Sequence, residues 1–195
     1  MKIISAIALT LAAVAVNAAP VTYDLDPSHS YPSFAADHFG GLSVWRGKFT
    51  KTSGHVVLER DAKSSAIKSG TFDVSIDTSS VDFGNAKLDE HARSDQMFDV
   101  AKFPSATYVG KLSKFKAGKP LEAQGVFTFH GVSKPLTLVI HSFLCKQNPM
   151  TKKEVCGADA SAVFDRSAFG VTYGKDYGFN MSVTLQIQVE AIRAD

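Results

Sequence analysis

From Met181 to Ala191 every second residue is apolar: Met181, Val183, Leu185, Ile187, Val189 and Ala191 share one parity, and Ser182, Thr184, Gln186, Gln188 and Glu190 share the other. Alternate side chains on a strand point to opposite faces, so this stretch reads as a strand with one buried and one wet face. The same period recurs along most of the chain, in Val21–Leu25, Ser30–Phe39, Val44–Lys51, His55–Glu59, Gly70–Ile76, Ala106–Leu112, Leu121–Phe129, Leu136–Phe143 and Ala158–Phe164. Asp26-Pro27, Gly40-Gly41, Ser53-Gly54 and His130-Gly131 read as turns between them. Val44–Lys51 and His55–Glu59 are expected to form a hairpin about Ser53-Gly54, and Gly131 to Pro135 a rigid turn without chemistry. Pro32 inside its segment predicts an edge or bulged strand.

About eight short strands, no long helical pattern and no repeat imply one all-β antiparallel domain. Barrel and sandwich share this periodicity. The aromatic content favours the barrel: the chain has 14 Phe, 5 Tyr and 1 Trp. A small barrel either fills itself with such side chains or holds one ligand.

One stretch breaks the pattern. Lys87–Pro104, KLDEHARSDQMFDVAKFP, crowds acids, bases and a histidine, and reads as a short helix and turn inserted into the sheet. Asn85 is positioned to cap it, and Phe103-Pro104 to end it. Asp89 and Arg93 stand four apart in the acid-first order and are expected to share a helix face.

The chain opens with Met1-Lys2, an apolar run over Ile3–Val16 and the small-residue site Val16-Asn17-Ala18. That is the layout of a cleaved export signal, expected to span residues 1–18 and to leave 19–195 as the folded domain, with the periplasm as its destination. Losing Lys2 with it lowers the net charge from +2 to +1, too balanced for nucleic-acid binding. In an oxidising compartment the two cysteines, Cys145 and Cys156, read as a disulfide across KQNPMTKKEV. A metal site competes with it, but the spacing is too wide for CxxC and no histidine lies close by.

Catalytic motifs are missing. There is no GxSxG, phosphate loop or dinucleotide fingerprint, and the six histidines show no HxH or HExxH spacing, so no metal or cofactor is expected. His29 and Ser30 are strand neighbours facing opposite ways, as are Asp37 and His38, so neither pair makes a nucleophile and base. Asp165-Arg166 reads as a structural pair closing a barrel end.

Read together, Tyr23-x-Leu25-Asp26-x-x-His29-Ser30, then Phe34 and His38, Asp89-x-His91-x-Arg93-Ser94 with Phe98-Asp99 and Phe103-Pro104, Gly125 to Pro135, and Arg166-Ser167-x-Phe169-Gly170 resemble the YceI-like family in content and order. Leu88, where many members carry Arg, and Ala92, where Leu is common, depart from it; position 88 supplies no cation. The resemblance implies an exported, lipocalin-like antiparallel barrel binding a long polyisoprenoid or similar amphiphile in an apolar tunnel without catalysis; the short helical insert and the disulfide-closed loop read above are expected as parts of it.

On that reading the tunnel is lined by Phe34, Phe39, Trp45, Phe49, Phe72, Phe98, Phe127, Phe129, Phe164, Phe169 and Val183. Each has ordinary core packing as its alternative. His91 and Arg93, with Asp89 beside them, are candidates to hold a head group at a barrel mouth, and His29 and His38 are weaker ones. Expected partners are an isoprenoid lipid or quinone and a transiently contacted membrane; a homodimer is left open. Two other functions fit the sequence: an enzyme acting on a lipid head group through a cross-strand His/Asp cluster, and a structural protein with a filled barrel.

Overall fold

The alternating C-terminal segment becomes strand β11 (Ser182–Arg193), with Val183 and Ala191 buried. In the computed structural model, which describes residues 19–194, it pairs along its whole length with β10 (Glu154–Asp165). Its other edge carries two strands in succession. Val183–Gln188 pair with β2 (Tyr31–His38), and Ala191–Arg193 with β1 (Val21–Leu25). The expected export signal lies outside the described residues.

The sheet continues from β1 through β4 (Thr52–Arg60), β5 (Ile67–Asp77), β7 (Ser105–Ser113), β8 (Glu122–Phe129) and β9 (Val132–Gln147) back to β10. All these pairings are antiparallel, and the β1–β11 pairing closes them into an eight-stranded barrel. Closure leaves no free edge around that ring. β3 (Ser43–Phe49) and β6 (Val81–Asp82) stand beside β2 and extend three staves upward: β1 runs on into β2, β4 is the continuation of β3, and β5 runs on into β6. Three of the eight staves are thus broken in two, at Asp26–Ser30, at Thr50-Lys51 and at Thr78–Ser80.

These breaks overturn the expected β3–β4 hairpin. The two strands share no ladder; each pairs with its own neighbours, and Ser53-Gly54 lies within β4. The glycine has a different job from turning: at φ 137° a Cβ on Gly54 would stand 2.1 Å from the Asp73 carbonyl oxygen. Glycine inside a strand often marks such a close backbone approach. The turn expected over Gly131–Pro135 is also shorter than its sequence suggests. His130 and Gly131, at φ 50° and 74°, make the two-residue reversal alone, and Val132 to Pro135 already belong to β9.

At the Asp26–Ser30 break, local side chains replace the missing ladder. The Ser30 hydroxyl donates to the Glu190 carbonyl at 3.0 Å and accepts the Glu190 N–H at 3.1 Å, standing in for a backbone partner. The His29 ring donates to the Asp26 carboxylate at 2.7 Å, and Ser28 N–H donates to the same group at 2.8 Å.

The cysteines are linked, as expected. Cys145 and Cys156 face each other across the β9–β10 ladder with Cα atoms 4.0 Å apart. They sit within a long hairpin whose tip is 148–153, so both strands reach further than the sequence period shows.

Candidate functional site

The insert is part of the barrel wall. Helix α1 (Ala86–Arg93) starts at Asn85, whose side chain accepts the N–H groups of Lys87 and Leu88. Beyond it the chain returns through Phe98 to β7, and the Thr78 hydroxyl donates to the Phe103 carbonyl at 2.6 Å. β6 has only β3 as a ladder partner, and α1 covers its other side. Arg93 donates to the carbonyls of Ser79 at 2.7 Å and Val81 at 3.0 Å, and the Asp89 carboxylate accepts the Phe83 N–H at 2.7 Å. These two side chains satisfy strand-edge groups that would otherwise be left open. The expected shared face holds in register, but each residue binds backbone instead of the other.

Inside the barrel lies a cavity of about 630 Å³, within the roughly 300–1,000 Å³ of small-molecule sites. All eleven expected lining residues border it except Phe169. Phe169 is buried behind the wall, its ring 5.4 Å from Phe127 and Phe164 and 6.2 Å from Phe129, where β9 and β10 part beyond the Val139–Ser161 pair. Phe98 bridges from the insert, with ring centroids 6.5 Å from Phe34, 5.9 Å from Phe49 and 5.4 Å from Phe129.

Most of the buried polar groups on this wall are turned back on the protein. Tyr108, buried, donates its hydroxyl to the carbonyls of Ala123 at 2.7 Å and Leu136 at 3.0 Å. Burial pushes its pKa up to about 12, outweighing a lowering backbone hydrogen bond, so it stays neutral and apolar in effect. The Ser30 hydroxyl is spent on Glu190, and Ser33 donates to the Tyr31 carbonyl. The Thr52 hydroxyl is the buried wall group without a partner among the described residues.

One end of the cavity is closed. Tyr23, Leu58 and Cys156 form its floor and are at most 7% exposed. Beneath them Tyr23 donates to Glu154 at 2.8 Å, and Arg60 reaches both Glu154 and the Tyr23 oxygen at 3.0 Å. The disulfide belongs to this end.

The other end opens. Phe39 and Tyr177, both on the wall, are 59% and 68% exposed. The His38 ring stacks on Trp45 at 4.1 Å, and His91 meets the Tyr173 ring at 4.6 Å. Arg166, buried, donates to the carbonyls of Val171 at 3.0 Å and Tyr173 at 2.7 Å and so braces the loop that carries Tyr173 and Tyr177. Burial lowers its pKa, opposed by the charges of Asp165 and Asp37. The expected Asp165–Arg166 pair is therefore structural without being a contact pair; Asp165 caps the following turn through Ser167 N–H.

Of the five head-group candidates, the structure brings His38 and His91 to the mouth. His29, Asp89 and Arg93 do not border the cavity: His29 is spent on Asp26 at the outer surface, and the other two on the β6 edge. Sequence reading missed Phe83, Leu88, Tyr108, Tyr173, Tyr177 and Phe179, which do border it. Five of these sit in segments without alternation, where periodicity gives no orientation. Tyr108 shares its parity with Ala106 and Leu112 in an alternating segment, so its inward orientation was legible.

The comparisons agree with this architecture. The profile of the YceI-like domain matches residues 23–191. A UPF0312 protein of Shewanella denitrificans is 31% identical over 180 residues, covering 92% of this chain and 90% of its own. A UPF0312 protein of Vibrio vulnificus is 31% identical over 135 residues, covering 69% of each chain. Among solved structures, the Campylobacter jejuni YCEI protein superposes with a TM-score of 0.63 at 26% identity, over 79% of this chain and 88% of its own. Burkholderia cenocepacia BcnA gives 0.64 at 22%, over 86% and 99%. A polyisoprenoid binding domain from Saccharophagus degradans, described as implicated in plant cell wall breakdown, gives 0.59 at 12%, over 89% and 99%. With a matched profile over nearly the whole barrel, the chain belongs to the YceI-like family.

Proposed function

We propose that the protein is an exported carrier or store for a long-chain isoprenoid or similar amphiphile, an isoprenoid quinone among the candidates, and that it acts in the periplasm without turnover. The observation that carries this is the cavity: open at one end, walled by aromatic and aliphatic side chains, and with its buried polar wall groups, Thr52 apart, already bonded to the protein. Such a wall offers a chain only dispersion and the exclusion of water. Removing a tail from water yields about 0.8 kcal/mol per CH₂, so tens of carbons would exceed the practical ceiling of about 20 kcal/mol. The working reference is therefore a membrane, whose interior the cavity has only to match. The polyisoprenoid binding domain from Saccharophagus degradans, with the same fold, supports this class of cargo.

The mouth presents two imidazoles and several aromatic rings, with the Arg166 guanidinium already committed to carbonyls. This favours a planar, uncharged head group, which stacks and accepts a hydrogen bond, over a diphosphate. The test is native mass spectrometry of the purified protein with organic extraction, repeated on Ala158→Phe, which places a ring in the cavity. A stoichiometric lipid in the parent and about tenfold weaker uptake by the correctly folded variant are expected. A parent that stays ligand-free after incubation with isoprenoid micelles overturns the carrier reading.

A further inference from the structure

The β2–β3 turn spends conformational energy to keep apolar groups in water. Phe39, Gly40 and Gly41 follow one another at φ 59°, 65° and 97°, and a bulky side chain is rarely held in that region without a functional reason. The turn is rigidly held. The Asp37 carboxylate accepts the N–H groups of Gly40 at 3.0 Å, Gly41 at 2.6 Å and Asn180 at 2.8 Å, tying it to the loop that carries Tyr177. Those bonds, that from Asn180 first, hold the carboxyl below its usual range.

What the turn displays is apolar. Leu42 is 76% exposed and Val44 49%, beside Phe39 and Tyr177. Neither Leu42 nor Val44 borders the cavity, so cargo does not account for their exposure. Charges nearby are few and of both signs: Arg46, whose guanidinium lies back over the Val44 carbonyl, Lys175 and Asp176. The rim therefore suits a partner that is flat, apolar just below its surface and not selected by charge, and it flanks the opening through which a membrane-derived cargo must pass.

We propose that this rim, Phe39, Leu42, Val44 and Tyr177, is a docking surface for a lipid bilayer, sinking to the head-group and acyl boundary so that the cavity opens into the acyl layer. The inference rests on the carrier reading and adds where and how loading happens. Because insertion is apolar, binding to uncharged bilayers should persist in high salt, where a polybasic contact would be screened.

The chain supplies its own reporter, since Trp45 is its single tryptophan and stands at the mouth against His38. The experiment is flotation of the purified protein with phosphatidylcholine vesicles, and quenching of Trp45 by the same lipid brominated on its acyl chains. Leu42→Asp, on a solvent-facing side chain outside the cavity wall, is run beside it; both proteins carry the same N-terminus, so their difference isolates the rim. Expected are salt-insensitive flotation, quenching of Trp45, and a partition about tenfold lower for the variant, whose uptake of a prenol from detergent micelles is unchanged. Absence of flotation, equal flotation of the two proteins, or a rim occupied by a second copy in a dimer that Leu42→Asp dissociates, overturns the docking surface. Failure of both proteins to take up prenol sinks the carrier reading, while the flotation difference still decides the surface.

Discussion

Arg93 shows how a residue with a chemical look can be spent on architecture. Its guanidinium is held by the Ser79 and Val81 carbonyls, so Arg93→Met should cost about 1 kcal/mol in denaturant unfolding and weaken uptake of anionic and neutral isoprenoids by the same factor. A selective loss for the anionic lipid would return it to the mouth. His29 and Asp26 likewise serve the strand break. The hydrogen bond to Asp26 raises the His29 pKa. Burial works against the charge of Asp26, but the bonds from His29 and Ser28 outweigh it and hold its carboxyl low. The stability that His29 contributes is full below its unfolded pKa, about 6.5, and lost as pH rises through the folded value; that of Asp26 is lost as pH falls through its own. NMR titration of His29 should therefore give a midpoint above 6.5 that falls on Asp26→Asn. Residue types and spacing showed which side chains were chemically capable. They did not show that the groups around broken strands would claim three of the five head-group candidates, Arg93 through backbone carbonyls, Asp89 through the Phe83 N–H and His29 through the Asp26 carboxylate, because that demand exists only once the staves are placed side by side.

At the scale of elements, the period-two segments were legible because each stave has one face on a single apolar interior. The helix was legible from its cap and stop residues. The mistaken hairpin at Ser53-Gly54 has a physical cause: a glycine that relieves a close approach to Asp73 and a glycine that reverses a chain look alike in sequence. The cysteine link was also legible, though not its setting as a cross-strand pair within a paired ladder. Reduction should lower stability by about 3 kcal/mol in the chain-entropy account, measured by unfolding with and without reductant. Because the link lies at the floor, far from the mouth, lipid uptake by the still-folded protein should not change.

For the whole molecule, closure and burial set the alkaline limit. Tyr108 ionises only at about 12, and desolvation, aided by Glu154, raises Tyr23 against the opposing effect of Arg60. An unfolded chain releases these protons near 10, so the stability they represent is intact below about pH 10 and drains away as pH rises through the folded values. Spectrophotometric titration should show two late tyrosines whose ionisation coincides with unfolding. The fold class and most of the wall were readable from alternation. The mouth was legible only in part: His38, Phe39, Trp45 and His91 were named, while Phe83, Tyr173, Tyr177 and Phe179 come from irregular loops. The broken staves have a last consequence. Since the ladder is interrupted on three neighbouring staves, the collar of β2, β3, β6 and α1 is joined to the lower barrel by the β2–β11 ladder on one side and elsewhere by short crossings and packing. Along the three interrupted staves a strand slip above the break has no rail along which to travel downward. The upper rim of this barrel can thus be reshaped by substitution while the closed end below keeps its own continuous pairings.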